Sequence, residues 1–228
     1  MKSLLHYVVI LLLVARCSEE PKYAYGIEPM EWSEYSKSVS LDSNMALLNL
    51  EQLLEFEKMD IRYATSNNFT GQVIYPTADC FSRKPVAKAL KAVEDSLSAL
   101  NLGLILYDGY RPYAATVLFY EVYQDTTYVA SPYSGSRHNR GCAVDIGLYD
   151  LETGEALIMP TGYDDFSEDA HQAVVSLNRE AEQNKIILRE VMIAFGFEPY
   201  PHEWWHFDFK GWKDYPVMDI SFDELNQN

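Results

Sequence analysis

The sequence contains little cysteine, few basic residues and no long apolar run, and each shortage excludes a class of protein. Three cysteines among 228 residues are too few for a disulfide framework. Eighteen Lys and Arg stand against 34 Asp and Glu, a formal net charge of −16, which argues against nucleic acid as a partner because phosphate binding needs a basic surface. The apolar run at residues 4–15 is too short for a transmembrane helix, which needs about 17 residues.

What is present is an N-terminal leader followed by enough apolar sequence for one core. Residues 1–16, "MKSLLHYVVILLLVAR", are typical of a signal peptide that is not part of the fold. Cys17 follows directly and precedes an acidic stretch, which resembles a bacterial lipoprotein leader, with Cys17 lipidated as the first mature residue. Simple secretion or a retained anchor are the alternatives, since Arg16 stands where such leaders usually carry a small residue. We therefore predict an exported, periplasmic protein that contacts the membrane only through this anchor.

The full sequence is 48% hydrophobic, and the part after the leader is long enough for one domain and has no internal repeats. We predict a tether and lead-in without regular structure over residues 17–40 and the functional domain over residues 41–228. Within it, apolar periodicity and turn residues predict helices that precede and interrupt a mainly antiparallel sheet, an α+β domain. The predicted helices are 82–100, capped by Ser82, 111–124 and 168–195; the predicted strands are 102–109, 142–150, a return strand after Gly154, and 203–209.

One carboxylate interrupts the apolar strand "CAVDIGLYD". Strand alternation places Asp145 on the same face as Ala143 and Gly147, as if space were left around it, and places Cys142 in the core. A buried carboxylate is costly unless it is paired with a cation. A salt bridge to Arg137 or Arg140 is one explanation, and a bound metal is the other.

A second cluster, "PHEWWHFDF", favours the metal. His138, Asp145 and His206 together offer three nitrogen and oxygen ligands with a fourth position open, which is typical of a catalytic zinc site. Residues 203 and 206 have opposite parity on a strand, so we expect Glu203 at the strand entrance, turned inward as a base beside the metal. His171 and His202 are not expected to be ligands.

Two further features have less specific explanations. The turn "YDGYRP" brings Asp108 and Arg111 to a strand end, and on sequence alone it predicts a surface turn with a solvated arginine. Cys80 and Cys142 are expected to be unpaired, with one bridge between them as the alternative.

Together, "SRHNRGCAVD" and "EWWHF" match the S-x-H-x-x-G-x-A-x-D and E-x-x-H signatures of the zinc peptidases related to D-Ala-D-Ala carboxypeptidases and the hedgehog-type fold. The double tryptophan, "DGYRP" and "RYATSNNFTG" resemble the VanX-like D-alanyl-D-alanine dipeptidases, from about residue 63 to 209. The resemblance implies one zinc ion per chain, held by His138, Asp145 and His206.

The same resemblance implies a role for each of the other matched residues. Glu203 would be the catalytic base and Arg111 would stabilise the transition state. Four residues would contact the substrate or line its pocket: Ser136, Asp164, which would receive the substrate ammonium, Tyr63 and Asp108.

The implied function is zinc-dependent hydrolysis of D-alanyl-D-alanine, a small D,D-dipeptide, to free D-amino acids in cell-wall peptide turnover. Two alternatives stay open. One is a periplasmic D,D-carboxypeptidase or endopeptidase that acts on muropeptides, and the other is a non-catalytic zinc-containing binding lipoprotein.

Overall fold

The computed structural model describes residues 22–55 and 57–227, which form an α+β arrangement. The helices are α1 (Trp32–Leu41), α2 (Lys84–Ser98), α3 (Tyr113–Val122), α4 (Arg179–Ala194) and α5 (Phe222–Asn226). The strands are β1 (Leu47–Asn49), β2 (Glu57–Met59), β3 (Phe81–Arg83), β4 (Leu102–Asp108), β5 (Ala143–Asp150), β6 (Phe197–Pro199) and β7 (His206–Phe209). The predicted leader and Cys17 lie outside the described residues. Within the described ranges, no helix has the length and apolar character needed to cross a membrane.

The central sheet has five strands in the order β2-β4-β5-β7-β6. Only the β2-β4 pair is parallel, so the mainly antiparallel sheet predicted from the sequence is confirmed. Strands β1 and β3 form a separate antiparallel pair. The register of the central strands pairs Asp145 with His206 on one side and with Asp108 on the other, where β4 has a bulge. Three polar side chains thus meet on adjacent strands in the middle of the sheet.

Helix α2 confirms the amphipathic pattern and shows where it ends. Val86, Leu90, Val93 and Leu97 are all fully buried, and the helix contacts β4 and α4. Burying such side chains contributes about 1.5–3 kcal/mol each. Leu100, the next residue of the pattern, lies beyond the helix end and is 61% exposed.

Several predicted boundaries are wrong. Ser82 lies in β3 rather than capping α2, whose N-cap residue is Arg83. Helix α4 begins at Arg179 and not near 168, because the Asn178 side chain accepts hydrogen bonds from the first-turn N–H groups, whereas residues 168–170 form only a short 3₁₀ turn. The expected return strand after Gly154 is reduced to one bridge, between Tyr149 and Ala156.

The segment before residue 41 also differs from the prediction. Helix α1 begins within it at Trp32 and ends at Leu41, although the local sequence has no sustained apolar period. Its stability comes from tertiary contact: Tyr35 is buried, and its hydroxyl accepts a hydrogen bond from the backbone N–H of Leu47. Cys80 and Cys142 are buried and free, as expected, so the alternative of a bridge between them is wrong.

Candidate active site

The side chains of His138, Asp145 and His206 converge in the described part of the chain as a buried group able to hold a metal. The Nε2 atom of His138 lies 3.1 Å from Nδ1 of His206, and these nitrogens lie 3.4 and 3.0 Å from Oδ1 of Asp145. Tetrahedral ligands at about 2.0–2.2 Å from a zinc ion lie roughly 3.3–3.5 Å apart. The three atoms, 3.0–3.4 Å apart, therefore lie within a few tenths of an ångström of the spacing of zinc ligands.

The hydrogen bonds of both histidines leave the converging nitrogens available to a metal. His138 Nδ1 lies 2.7 Å from the carbonyl oxygen of Gly109, which can only accept, so this nitrogen carries the proton. His206 Nε2 donates in the same way to Oδ1 of Asp208, at 3.0 Å. Such outer partners fix the tautomer of metal-binding histidines. The nitrogens that face Asp145 are then free to coordinate.

Asp145 presents one oxygen to these nitrogens and is held by the other. Oδ2 accepts a hydrogen bond from the Tyr163 hydroxyl at 3.1 Å, whereas Oδ1 is buried and accepts none from residues 22–55 or 57–227. A buried acceptor without a donor is expensive, and a cation at this point removes that cost. The donor set and the orphaned oxygen both fit zinc.

The electrostatics of this group also favour a cation. Burial acts to raise the pKa of Asp145, but the two histidines hold it well below its usual value. Burial acts to lower the pKa of His206. Asp145 and Asp208 outweigh this effect and raise the pKa of His206 to about 10. The carboxylates thus hold a positive charge between them, either as a proton or as a metal ion.

Neither Arg137 nor Arg140 neutralises Asp145. Arg137 lies 3.4 Å from Asp208, and Arg140 donates to the carbonyl oxygen of Tyr215. The salt-bridge explanation of the buried carboxylate is therefore wrong.

Glu203 lies in the turn immediately before β7, at the strand entrance as predicted. Its Oε2 is 3.6 Å from Nδ1 of His206, and the side chain is buried. Burial raises the pKa of Glu203 above its usual range, although His206 partly opposes this effect. The adjacent Trp204 and Trp205 are buried and exclude water from the turn. A carboxyl group of raised pKa beside a metal site is well placed to accept and return a proton.

The prediction of a solvated surface turn at Asp108 and Arg111 is wrong, because both side chains are buried. Nε and Nη2 of Arg111 donate to Oδ2 of Asp108 at 3.0 and 2.7 Å, and Tyr75 donates to Oδ1 at 3.0 Å. The guanidinium also lies over the Phe119 ring, at 4.7 Å. The charged guanidinium of Arg111, fixed in orientation by these contacts, therefore enters the pocket from the end of β4.

The pocket that contains these groups is small, about 200 Å³. Drug-sized ligand sites have about 300–1,000 Å³, so this pocket suits a smaller molecule. Tyr63, Ser136 and Asp164 line it together with the metal-ligand candidates, Arg111 and Glu203. The sequence-predicted site residues are thus all in or directly behind one cavity, with Asp108 as the partner of Arg111.

Asp164 adopts a backbone conformation that is rare for residues other than glycine, with φ of 61°. The Tyr63 hydroxyl lies 3.1 and 3.0 Å from its two carboxylate oxygens. Burial, assisted by the charge of Asp145, raises the pKa of Asp164 to about 7. This carboxylate is aimed into the pocket at some cost in backbone strain, which is common at functional sites.

Sequence reasoning missed three supporting residues. Asp208 follows His206 at a spacing of two, so strand alternation alone could have indicated that both lie on one face. Tyr163 donates a hydrogen bond to Asp145, and no feature of the sequence indicated this contact. The space expected at Gly147 is filled: a Cβ there would lie 2.6 Å from the hydroxyl of Tyr107, whose ring stacks on Tyr163 at 4.4 Å.

His171 and His202 are outside the metal group, as expected. His171 Nε2 lies 3.1 Å from the Tyr128 hydroxyl, and its ring packs edge-on against His202 at 4.7 Å. These contacts place both rings in an aromatic cluster near the pocket.

Residues 43–223 match the family model for the M15 peptidases described as D-Ala-D-Ala dipeptidase. The D-alanyl-D-alanine dipeptidase of Escherichia coli K12 is 32% identical over 176 residues, 77% of this chain and 91% of that protein. The D-alanyl-D-alanine dipeptidase of Enterococcus faecalis is 33% identical over 195 residues, 77% of this chain and 95% of that protein. A solved structure of the vancomycin resistance D,D-pentapeptidase VanY in complex with Zn(II) covers 59% of this chain and 75% of that chain, with 19% identity and a TM-score of 0.40.

Proposed function

Since this chain belongs to the M15 family of D-Ala-D-Ala dipeptidases, which are metallopeptidases, we propose that it uses zinc to hydrolyse D-alanyl-D-alanine to two molecules of D-alanine. The observation that carries the proposal is the buried group of His138, Asp145 and His206, with Glu203 beside it. A structural zinc site would have no need of this additional acidic side chain beside the three ligands, because structural sites are closed by four ligands.

Zinc bound here would supply Lewis acidity, which activates water and polarises a peptide carbonyl. Glu203 supplies the proton transfers. Its carboxylate takes a proton from the attacking water, and the resulting carboxylic acid gives that proton to the departing amine. Because its pKa is raised toward neutral pH, neither transfer is strongly uphill.

Arg111 would stabilise the negative charge that develops on the carbonyl oxygen. Its guanidinium is charged at every working pH, and Asp108 fixes its orientation through two hydrogen bonds. A preorganised donor of this kind needs no reorganisation as charge develops.

Asp164 and Ser136 would bind the substrate outside the reacting bond. The Asp164 carboxylate pairs with the free ammonium group, and Tyr63 holds the carboxylate in place. The Ser136 hydroxyl accepts a hydrogen bond from the N–H of His138 at 3.1 Å, which leaves its own proton to donate into the pocket. An acidic group at the ammonium position and a small cavity favour a dipeptide over a longer chain.

We further propose that the protein acts outside the cytoplasm, in cell-wall peptide turnover. The support is the leader sequence of residues 1–16 and the position of Cys17 directly after it. A Cys17→Ala variant should move from the membrane to the soluble fraction without loss of dipeptidase activity. If the wild-type protein stays in the soluble fraction and carries no lipid by mass spectrometry, the anchor is excluded.

The proposed activity is tested by the release of D-alanine from D-Ala-D-Ala, with the zinc content measured on the same samples. We expect Glu203→Gln to retain zinc and to lose about 10²–10⁴-fold in kcat. Glu198→Gln, a change at an exposed glutamate on β6, is the matched control and should keep full activity.

Four results would contradict the proposal. Full activity in Glu203→Gln would remove the assigned base, and a wild-type protein that is equally active without metal would remove the role of zinc. Equal release of D-alanine from a pentapeptide stem would favour the carboxypeptidase alternative. Binding of D-Ala-D-Ala without any turnover would favour the non-catalytic alternative.

A further inference from the structure

The guanidinium of Arg137 lies in the pocket wall without a hydrogen-bond acceptor. Its side chain is 38% exposed, and it lines the pocket between Ser136 and His138. Nε is buried and makes no hydrogen bond within residues 22–55 and 57–227, and its distance to the carboxylate of Asp208 is 3.4 Å. An arginine carries five N–H donors, so this one has unused capacity to bind an anion.

Aromatic rings hold this guanidinium in place. It lies over the ring of Trp212 at 5.0 Å and near the ring of Tyr200 at 5.9 Å. Stacking of this kind orients the planar fork while leaving its edge free for hydrogen bonds. Arg137 is therefore held in place by these rings and by its ion pair with Asp208, at 3.4 Å, and still has N–H donors that are not used in hydrogen bonds.

The charges that line the pocket leave Arg137 as the cation available to a negatively charged group. The acidic side chains in the wall are Asp145, Asp164 and Glu203, and the arginines are Arg111 and Arg137. Arg111 is buried and already donates twice to Asp108. Since Arg111 is proposed above to act on the reacting carbonyl, Arg137 is the arginine left to attract an anionic group elsewhere on the substrate.

A free dipeptide has such a group, the carboxylate at its C-terminus. Asp164, proposed above to bind the ammonium, is held by Tyr63, whereas Arg137 contacts Trp212, Tyr200 and Asp208. The two charged side chains are thus fixed by separate sets of neighbours in the same wall. This allows each to bind one end of a zwitterion.

We propose that Arg137 recognises the free C-terminal carboxylate of the substrate and thereby sets the requirement for an unblocked C-terminus. The inference rests on the proposed dipeptidase function. The adjacent hydroxyl of Ser136, whose proton is free to donate, assists on the same side of the pocket. The substrate class is therefore a small peptide with both termini free.

The test compares D-Ala-D-Ala with D-alanyl-D-alaninamide, in which the carboxylate is replaced by a neutral amide. Both release D-alanine, so one assay serves for both. A charge-assisted contact should make kcat/KM of the wild-type enzyme roughly 10- to 100-fold higher for the acid than for the amide. In Arg137→Met this ratio should fall close to one, through loss of activity on the acid alone.

Arg140→Met is the matched control. Arg140 also lies over the Trp212 ring, at 5.4 Å, but it does not line the pocket. Its variant should keep the wild-type ratio of acid to amide. Arg137→Lys, which keeps the charge without the fork, should restore part of the ratio, and zinc content should be equal in all variants.

The outcomes separate this inference from the proposed function. An unchanged ratio in Arg137→Met, or equal losses on both substrates, would overturn the inference and leave Arg137 as a positioning residue for Asp208. Absence of turnover in the wild type would contradict the dipeptidase proposal instead. In that case calorimetry measures the affinities for the acid and for the amide. Their ratio in the wild type and in Arg137→Met then decides whether Arg137 recognises the carboxylate.

Discussion

The hydrogen bond from Tyr63 to Asp164 predicts a measurable shift in the pH profile of the enzyme. Asp164 must be ionised to bind an ammonium group, and its pKa is raised to about 7 by burial and by the charge of Asp145. At pH values below this pKa the carboxyl group is neutral and binding is lost. The acid side of the kcat/KM profile should therefore fall as Asp164 takes up a proton.

The Tyr63 hydroxyl stabilises the ionised form, so Tyr63→Phe should raise the pKa of Asp164. The two O···O distances, 3.1 and 3.0 Å, are at the long end for a hydroxyl donor. We therefore assign about 1 kcal/mol to this contact, below the range of about 1.5–3 kcal/mol that is usual for bonds to charged groups. Since one pKa unit corresponds to about 1.36 kcal/mol, the acid side should move up by roughly 0.7 pH units.

The assay is kcat/KM for D-Ala-D-Ala over roughly pH 5 to 9, with zinc-loaded wild type and variant. A bound dication lowers the pKa of Asp164 in both proteins, so the difference between them is the predicted quantity. Tyr75→Phe is the matched control, because it removes a buried tyrosine hydroxyl from Asp108 in the same aromatic cluster. This variant should leave the acid side of the kcat/KM profile at the same pH as in the wild type.

A shift to lower pH in Tyr63→Phe, or no shift, would refute the reasoning. Either result would mean that Asp164 does not control the acid side or that Tyr63 does not act through its charge. An equal shift in Tyr75→Phe would indicate a general effect of the aromatic cluster.

Three further predictions concern the metal and the backbone beside it. Asp208→Asn should weaken zinc binding about 10- to 100-fold, as measured by competition with a chromogenic chelator, because the charged acceptor that orients His206 is lost. Removal of zinc should lower the stability to denaturant by about 4 kcal/mol relative to protein at a free zinc concentration 1,000 times its Kd. Gly141→Ala should destabilise the fold by about 1–3 kcal/mol in urea unfolding, because residue 141 has φ of 68° and a Cβ would lie 2.6 Å from Leu47 Cδ2.

The metal group could be predicted from the sequence because its residues lie in short, recognisable motifs. Asp145 in an apolar strand and the Glu203 and His206 pair each demand a partner, and residue type alone indicates zinc. The register that brings them together, with Asp145 opposite His206, required the strand pairing itself. Strand alternation correctly placed Asp145 and Gly147 on one face of β5. It could not show that Tyr107, from the neighbouring strand β4, fills the space at Gly147.

The environment of Asp108 and Arg111 could not be predicted, because it depends on residues distant in sequence. The turn has the composition of a surface loop, and distant residues such as Tyr75 and Phe119 make it an interior one. The start of helix α4 was predicted wrongly for the opposite reason. Its boundary is set locally, by Asn178, but the apolar residues upstream of it concealed the cap.

The acidity of the pocket connects metal binding with substrate binding. Asp145 is one cause of the raised pKa of Asp164, after burial, so without a metal Asp164 is about half protonated near pH 7. A dication held by Asp145 and the two histidines offsets that negative charge and favours the ionised form of Asp164. The ammonium-binding carboxylate is then fully charged at neutral pH. The metal proposed to activate the reaction would therefore also prepare the position proposed to bind a free N-terminus.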